Sequence, residues 1–305
     1  MSDRKTRQKA SQRTPVLDAY IEFIASREAA NVSPRTIGYY YAKLRPFCVW
    51  CGSNGVSLIG DVSAKHIRDY IITLRDRALS PWTMHGAARA IKAFLRFCQS
   101  EGMIADVPPI TMPKLPKELP QPYTAAEVER LIGSCECERD RAIIYMLVDT
   151  GLRASELIAL DGRDVDISSG LVMVRGGKGA KDRAVYFGSK TKGAILRYWR
   201  EVGTKPAKDD PFFVTRVAPI ERLSFFGLAS MLRRLGKRAD VQTCTPHRFR
   251  RTFAVWSLRA GMDVFTLQRL MGHEDLGTTR RYVALVDDDL KAAHKRFGAA
   301  DSFLK

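Results

Sequence analysis

The stretch A-D-V-P-P-I-T-M-P-K-L-P-K-E-L-P-Q-P, residues 105–122, decides how the rest of the chain is read. Its six prolines remove backbone donors and fix φ, so neither a helix nor a ladder strand can run through it. The composition predicts an extended, fairly stiff linker. It divides the 305 residues into a domain at 14–104 and a larger one at 123–305. Residues 1–13 hold five basic residues and one acid, and read equally as a flexible arm that touches a polyanion or as a solvated tail.

Before the linker, three helix starts repeat one device. Thr14-Pro15, Ser33-Pro34 and Ser80-Pro81 each set a capping oxygen ahead of a proline at the first helical position. Apolar residues follow at helical spacing: Leu17, Tyr20, Ile21 and Ile24; then Ile37, Tyr40, Tyr41 and Leu44, until Pro46 disturbs the pattern; then Ala88, Ile91, Leu95 and Cys98. A further helix starts near Ser63, with Ile67, Tyr70, Ile71 and Leu74. These faces need one another, which predicts a small helical bundle.

After the linker, the spacing predicts helices at 125–133, 139–150, 154–160, 190–201, 222–236, 246–260, 263–271 and 278–286. L-V-M-V-R at 171–175 and R-A-V-Y-F at 183–187 read as two strands joined by the turn G-G-K-G-A-K-D. The fold class is therefore mainly α: an N-terminal helical bundle, then a mostly helical domain with a small antiparallel β-sheet.

Lys and Arg total 50 against 33 Asp and Glu, a formal net charge of +17. That balance favours a polyanionic partner, nucleic acid first. The excess is local: residues 173–208 hold ten basic and two acidic residues, and 222–251 hold eight and one. An ordinary solvated surface is the alternative. No apolar run reaches the roughly 18 residues that suggest a membrane helix, and the polar, basic N-terminus is not a secretory signal. No membrane association and a cytoplasmic, nucleoid-associated location are expected. Cys48 and Cys51 are spaced C-x-x-C, and Cys135 and Cys137 are one apart, but neither pair has a His or Cys partner at ligand spacing. Ordinary reduced thiols are expected, with no metal.

Four segments carry groups suited to phosphate. In T-P-H-R-F-R-R-T-F-A, Thr245 caps a helix whose first turn presents His247 and Arg250 on one face, about 5–6 Å apart at Cβ. A helix start also favours an anion. Phe249, Phe253, Trp256 and Ala260 form a face suited to the core. In T-G-L-R-A-S-E-L, Arg153 and Glu156 can face each other, as a preorganised phosphate clamp or as a structural pair. In G-G-K-G-A-K-D-R, Lys178 sits at a hairpin tip; the stretch is not a nucleotide loop, because no Ser or Thr follows the lysine. In G-H-E-D-L-G-T-T-R-R-Y, Gly272 fits a helix C-cap, His273 follows it, and Tyr282 lies on the next helix. A tyrosine in such a segment is more often a packing residue than a nucleophile.

Together the four segments resemble the tyrosine recombinase (phage integrase-like) family, nearest in layout to the bacterial chromosome-dimer recombinases. The chain has that family's T-G-L-R-x-S-E-L at 150–157, G-K-G-x-K-x-R at 177–183, H-x-x-R at 247–250 and G-H-x-D-x-x-T-T-x-x-Y at 272–282, in that order. The resemblance implies catalytic roles for Arg153, Lys178, His247, Arg250, His273 and Tyr282, with Glu156 as supporting acid. One departure is visible: Arg251 stands where these recombinases often have His.

The resemblance further implies attack by Tyr282 on a backbone phosphate of double-stranded DNA. A 3′-phosphotyrosyl link forms, a 5′-hydroxyl leaves, and a second 5′-hydroxyl reseals the strand. The phosphodiester energy is conserved, so no cofactor is called for. It implies a homo- or hetero-tetramer on DNA, with residues 289–299 passed to a neighbour through Leu290, Ala293 and Phe297, or else capping their own domain. Chromosome or plasmid dimer resolution is the expected role. The alternatives are integration or excision of a mobile element, a type IB topoisomerase, or a non-catalytic DNA-binding protein.

Overall fold

The computed structural model describes residues 14–116, 121–176, 182–272 and Tyr282. The chain divides into two compact units, Met1–Glu118 and Leu119–Lys305. The first is helical, with α1 (Val16–Ala29), α2 (Pro34–Ser53), α3 (Ala64–Asp76) and α4 (Pro81–Ser100). Its core joins Phe23, Leu44, Phe47, Ile91, Phe94 and Leu95. Ser33 and Ser80 cap their helices by accepting from Thr36 and Thr83 amides, and Ser63 and His66 form a reciprocal capping box.

One local expectation is corrected in this unit. The N-cap position is Pro15 rather than Thr14: Pro15 makes a β-bridge to Leu58, and the Val16 amide donates to the Ser57 carbonyl. The segment is fixed by this pairing with a distant loop, which local sequence does not announce. Pro46, which disturbs the apolar spacing, lies inside its helix. The helix continues to Ser53 because Phe47, Cys48 and Cys51 beyond the proline are buried in the core, and tertiary burial outweighs a local cost of about 3 kcal/mol.

The proline-rich stretch has no regular structure over 107–116. Its ends nevertheless belong to the units. Val107 and Ile110 pack on the first core, and the Pro113 carbonyl meets His85 Nδ1 at 3.0 Å. The Gln121 carbonyl accepts from Arg248 in the second unit.

The second unit contains α5 (Ala125–Gly133), α6 (Glu138–Thr150), α7 (Ala154–Ala159), β1 (Val165–Asp166), β2 (Leu171–Val174), β3 (Arg183–Tyr186), α8 (Ser189–Val202), α9 (Phe225–Arg238), α10 (Pro246–Arg259) and α11 (Val264–Met271). The strands form one antiparallel sheet in the order β1-β2-β3, with Val172 opposite both Val165 and Val185. β1 has two residues, too few for alternation to mark, and it was not expected from the sequence. Helix α6 is the hub. Ala142, Ile143, Ile144, Met146 and Leu147 are buried, and α8 and α10 pack against it.

Helix α9 starts later than the expected residue 222. Arg222 is still bridged to Val214, the Leu223 amide donates to the Phe213 carbonyl, and Ser224 is the cap. On α10, Phe249 and Phe253 are buried and Trp256 is half-buried, but Ala260 is the exposed C-cap rather than part of the apolar face. All six cysteines are free and buried. Burial pushes the Cys48 and Cys51 thiols up to about 12, which keeps them protonated and unreactive. Among the described residues no helix is long and apolar enough to cross a membrane.

Candidate active site

Helix α10 presents His247 and Arg250, and its first turn is fixed from three sides. Thr245 accepts from the Arg248 amide, and the Thr245 amide donates to the Tyr123 hydroxyl at 3.1 Å. The Arg248 guanidinium lies 4.0 Å from the Tyr123 ring centroid and donates to the Gln121 and Gln242 carbonyls and to Glu127. The Thr252 hydroxyl accepts from the Tyr123 amide at 2.8 Å. Arg248 and Thr252 thus anchor one side of the helix, while Arg250 points to the other.

Arg250 is buried, with 4% exposure. It donates through Nη1 to the Gly151 carbonyl at 2.6 Å and through Nη2 to the Met271 carbonyl. Gly151 ends α6 in the left-handed conformation, φ +61, and a Cβ there would stand 2.2 Å from the Phe253 ring. Only glycine lets the α6 terminus approach α10 closely enough for this bond. Arg153 follows at the start of α7. Its backbone amide donates to Glu156 Oε2 at 2.8 Å, its Nη1 to Glu156 Oε1 at 2.7 Å, and its Nη2 to the Gly272 carbonyl at 3.1 Å. Arg250 and Arg153 are therefore held on consecutive carbonyls, Met271 and Gly272, at the end of α11.

Two cations gathered this way suit an anion. Burial first, and Arg153 second, bring the Arg250 pKa down to about 10. It stays charged at neutral pH. Desolvation first, then Arg251 and Arg250, also lower the His247 pKa, although the residue as a whole is exposed. His247 is consequently neutral at pH 7 and able to accept a proton.

Tyr282 has 6% exposure and packs with Phe253, Ala254 and Val255 of α10 and with Leu267 and Met271 of α11. Its phenol is close enough to act electrostatically on both Arg250 and Arg251. The structure thus gathers Arg153, Glu156, Arg250 and Tyr282 around the α11 terminus, with His247 one turn from Arg250. Lys178 and His273 lie outside the described residues, as do the hairpin tip 177–181, the basic arm 1–13 and the 289–299 segment.

Sequence reasoning missed one participant. Arg183, the first residue of β3, donates through Nη1 to Glu156 Oε1 at 2.8 Å, through Nη2 to Glu156 Oε2 at 2.7 Å and through Nε to the Leu270 carbonyl at 2.8 Å. It closes the G-K-G-x-K-x-R stretch, but its acid lies 27 residues earlier and no local pattern links them. Part of the basic excess is also spent internally. Arg175, Arg197, Arg222 and Arg238 pair with Asp164, Glu138, Asp161 and Glu136.

Residues 122–288 match the phage integrase family, and residues 20–102 match the phage integrase N-terminal SAM-like domain. The chain belongs to the phage integrase family. This tyrosine recombinase is an enzyme of site-specific DNA recombination. It is 31% identical to the tyrosine recombinase XerC of Oceanobacillus iheyensis, over 92% of this chain and 94% of that protein. The crystal structure of XerA recombinase is 27% identical, with a TM-score of 0.52, over 92% of this chain and 97% of the other. The same fold recurs in the Tn1549 transposon integrase in complex with transposon right end DNA, at 20% identity and a TM-score of 0.73, over 94% of this chain and all of that one.

Proposed function

We propose that this recombinase cleaves and rejoins duplex DNA through a 3′-phosphotyrosyl link on Tyr282, and that it resolves chromosome or plasmid dimers. The observation that carries the reading is the seating of Arg153 and Arg250 on adjacent carbonyls, with the Tyr282 phenol beside Arg250. Two fixed guanidiniums match the non-bridging oxygens of one phosphate and stabilise the charge that builds in the transition state. Neutral His247 takes the Tyr282 proton as the phenolic oxygen bonds to phosphorus. The bond to the 5′ oxygen breaks, Lys178 protonates that oxygen, and His273 orients the phosphate. The resealing step reverses each transfer, so bond energy is conserved and neither nucleotide nor metal enters the balance. Duplex DNA is the partner, in keeping with the net charge of +17 and with the DNA held by the Tn1549 integrase.

Exchange between two duplexes uses four active sites, hence a tetramer of one or two recombinases on DNA. The XerC likeness over nearly the whole chain favours dimer resolution over integration of a mobile element. Denaturing cells that express the protein and sequencing the DNA left attached to it is the test. A short site in the chromosome or a plasmid is expected, and two direct copies of that site should be resolved on a reporter plasmid. Attached DNA that maps to the ends of a mobile element overturns the dimer-resolution role. Relaxation of the reporter with no recombined product overturns recombination itself.

A further inference from the structure

Glu156 is one carboxylate shared by two guanidiniums. Arg183 grips both of its oxygens, at 2.8 and 2.7 Å, whereas the Arg153 side chain reaches Oε1 alone, at 2.7 Å. The carboxylate is nearly enclosed, with 8% side-chain exposure, so solvent does little to mute its charge. Burial raises its pKa, and Arg183 is the first of the groups that bring it down to about 2. The same Arg183 ties three segments together. Its Nε holds the Leu270 carbonyl. Its side chain lies where a Cβ on Gly272 would meet it at 3.1–3.2 Å. Its neighbour Asp182 closes the base of the Lys178 hairpin by accepting from the Gly176 amide at 2.9 Å.

We propose that Arg183 is a positioning residue for DNA cleavage: it takes up the charge of Glu156, so that Arg153 is oriented by that carboxylate without being neutralised by it and keeps its charge for the scissile phosphate. A two-pronged pair holds the carboxylate more strongly than a single contact does. Without Arg183, the full negative charge of Glu156 falls on Arg153 and competes with the phosphate for it. The β3 strand then also loses its tie to the α11 terminus, where both clamp residues are seated.

The inference rests on the proposed phosphate role of Arg153, and the test separates the two. The measurement is the single-turnover rate of covalent adduct formation on a nicked duplex carrying the site recovered from cells. Arg183→Gln should slow it ~100-fold, the scale expected when reacting groups lose their placement. Adding Glu156→Gln to Arg183→Gln should recover ~10-fold of that loss, a coupling of about 1.4 kcal/mol, which lies in the range for contacting residues. A purely structural role makes the double variant as slow as Arg183→Gln or slower, and that result overturns the proposal. A rate for Arg183→Gln within about twofold of wild type also overturns it. If Arg183→Gln does not fold, Arg183→Met, which likewise removes the charge while keeping a long side chain, takes its place, and the same rescue by Glu156→Gln is required. Failure of the wild-type protein to form any adduct instead overturns the phosphotyrosyl reading and takes this inference with it.

Discussion

Tyr282→Phe protein is expected to bind DNA normally, fold normally and form no covalent adduct, with cleavage reduced at least ~10,000-fold, the scale seen when a covalent nucleophile is removed. The ring of Tyr282 fills a buried site between α10 and α11, among Phe253, Ala254, Val255, Leu267 and Met271. Phenylalanine keeps that packing. Loss of the hydroxyl alone costs about 1 kcal/mol, so the variant's melting temperature should stay near that of the parent. Chemistry and stability are thereby separated at one atom. Gel retardation, adduct formation on a nicked duplex and a thermal melt check the three parts. An adduct that persists in Tyr282→Phe removes Tyr282 as nucleophile.

The second large effect is at Arg250, where chemistry and stability should fall together. Its guanidinium joins the Gly151 carbonyl at the end of α6 to the Met271 carbonyl at the end of α11. Arg250→Ala strands both carbonyls in a buried place, which costs about 2–4 kcal/mol and lowers Tm by roughly 5–15 °C for a unit of this size. Loss of a transition-state donor should slow cleavage ~1,000-fold. Arg250→Lys restores the charge but not the two-pronged reach. It should regain part of the Tm while cleaving almost as slowly as Arg250→Ala. Cleavage by Arg250→Ala within about tenfold of wild type removes Arg250 from the phosphate clamp.

Much of this site was legible in the sequence because its parts lie at helix ends, where the signals are local. Thr245-Pro246 announced α10, and the three-residue offset of His247 and Arg250 placed both near its first turn. Gly272 marked a helix end, and its carbonyl is one of the three that seat Arg250 and Arg153. What local reading cannot supply is a contact set by tertiary packing. Arg183 meets Glu156 only because β3 folds against α11. Pro46 stays inside α2 only because residues beyond it are buried. Pro15 rather than Thr14 takes the N-cap position because Pro15 and Val16 find partners at Leu58 and Ser57. Tyr282 shows both sides. Its own segment reads as packing, and packing is what the ring does; the buried Arg250 and Arg251 beside its phenol are what argue for a nucleophile.

The most direct measurement is the chemical identity of the protein–DNA bond. Adduct formed on a nicked duplex is digested with protease and nuclease, and the nucleotide-bearing peptide is sequenced by mass spectrometry. The expected result is a nucleotide attached through its 3′-phosphate to the oxygen of Tyr282, with a free 5′-hydroxyl on the released strand. A nucleotide on any other residue, or one attached through a 5′-phosphate, contradicts it.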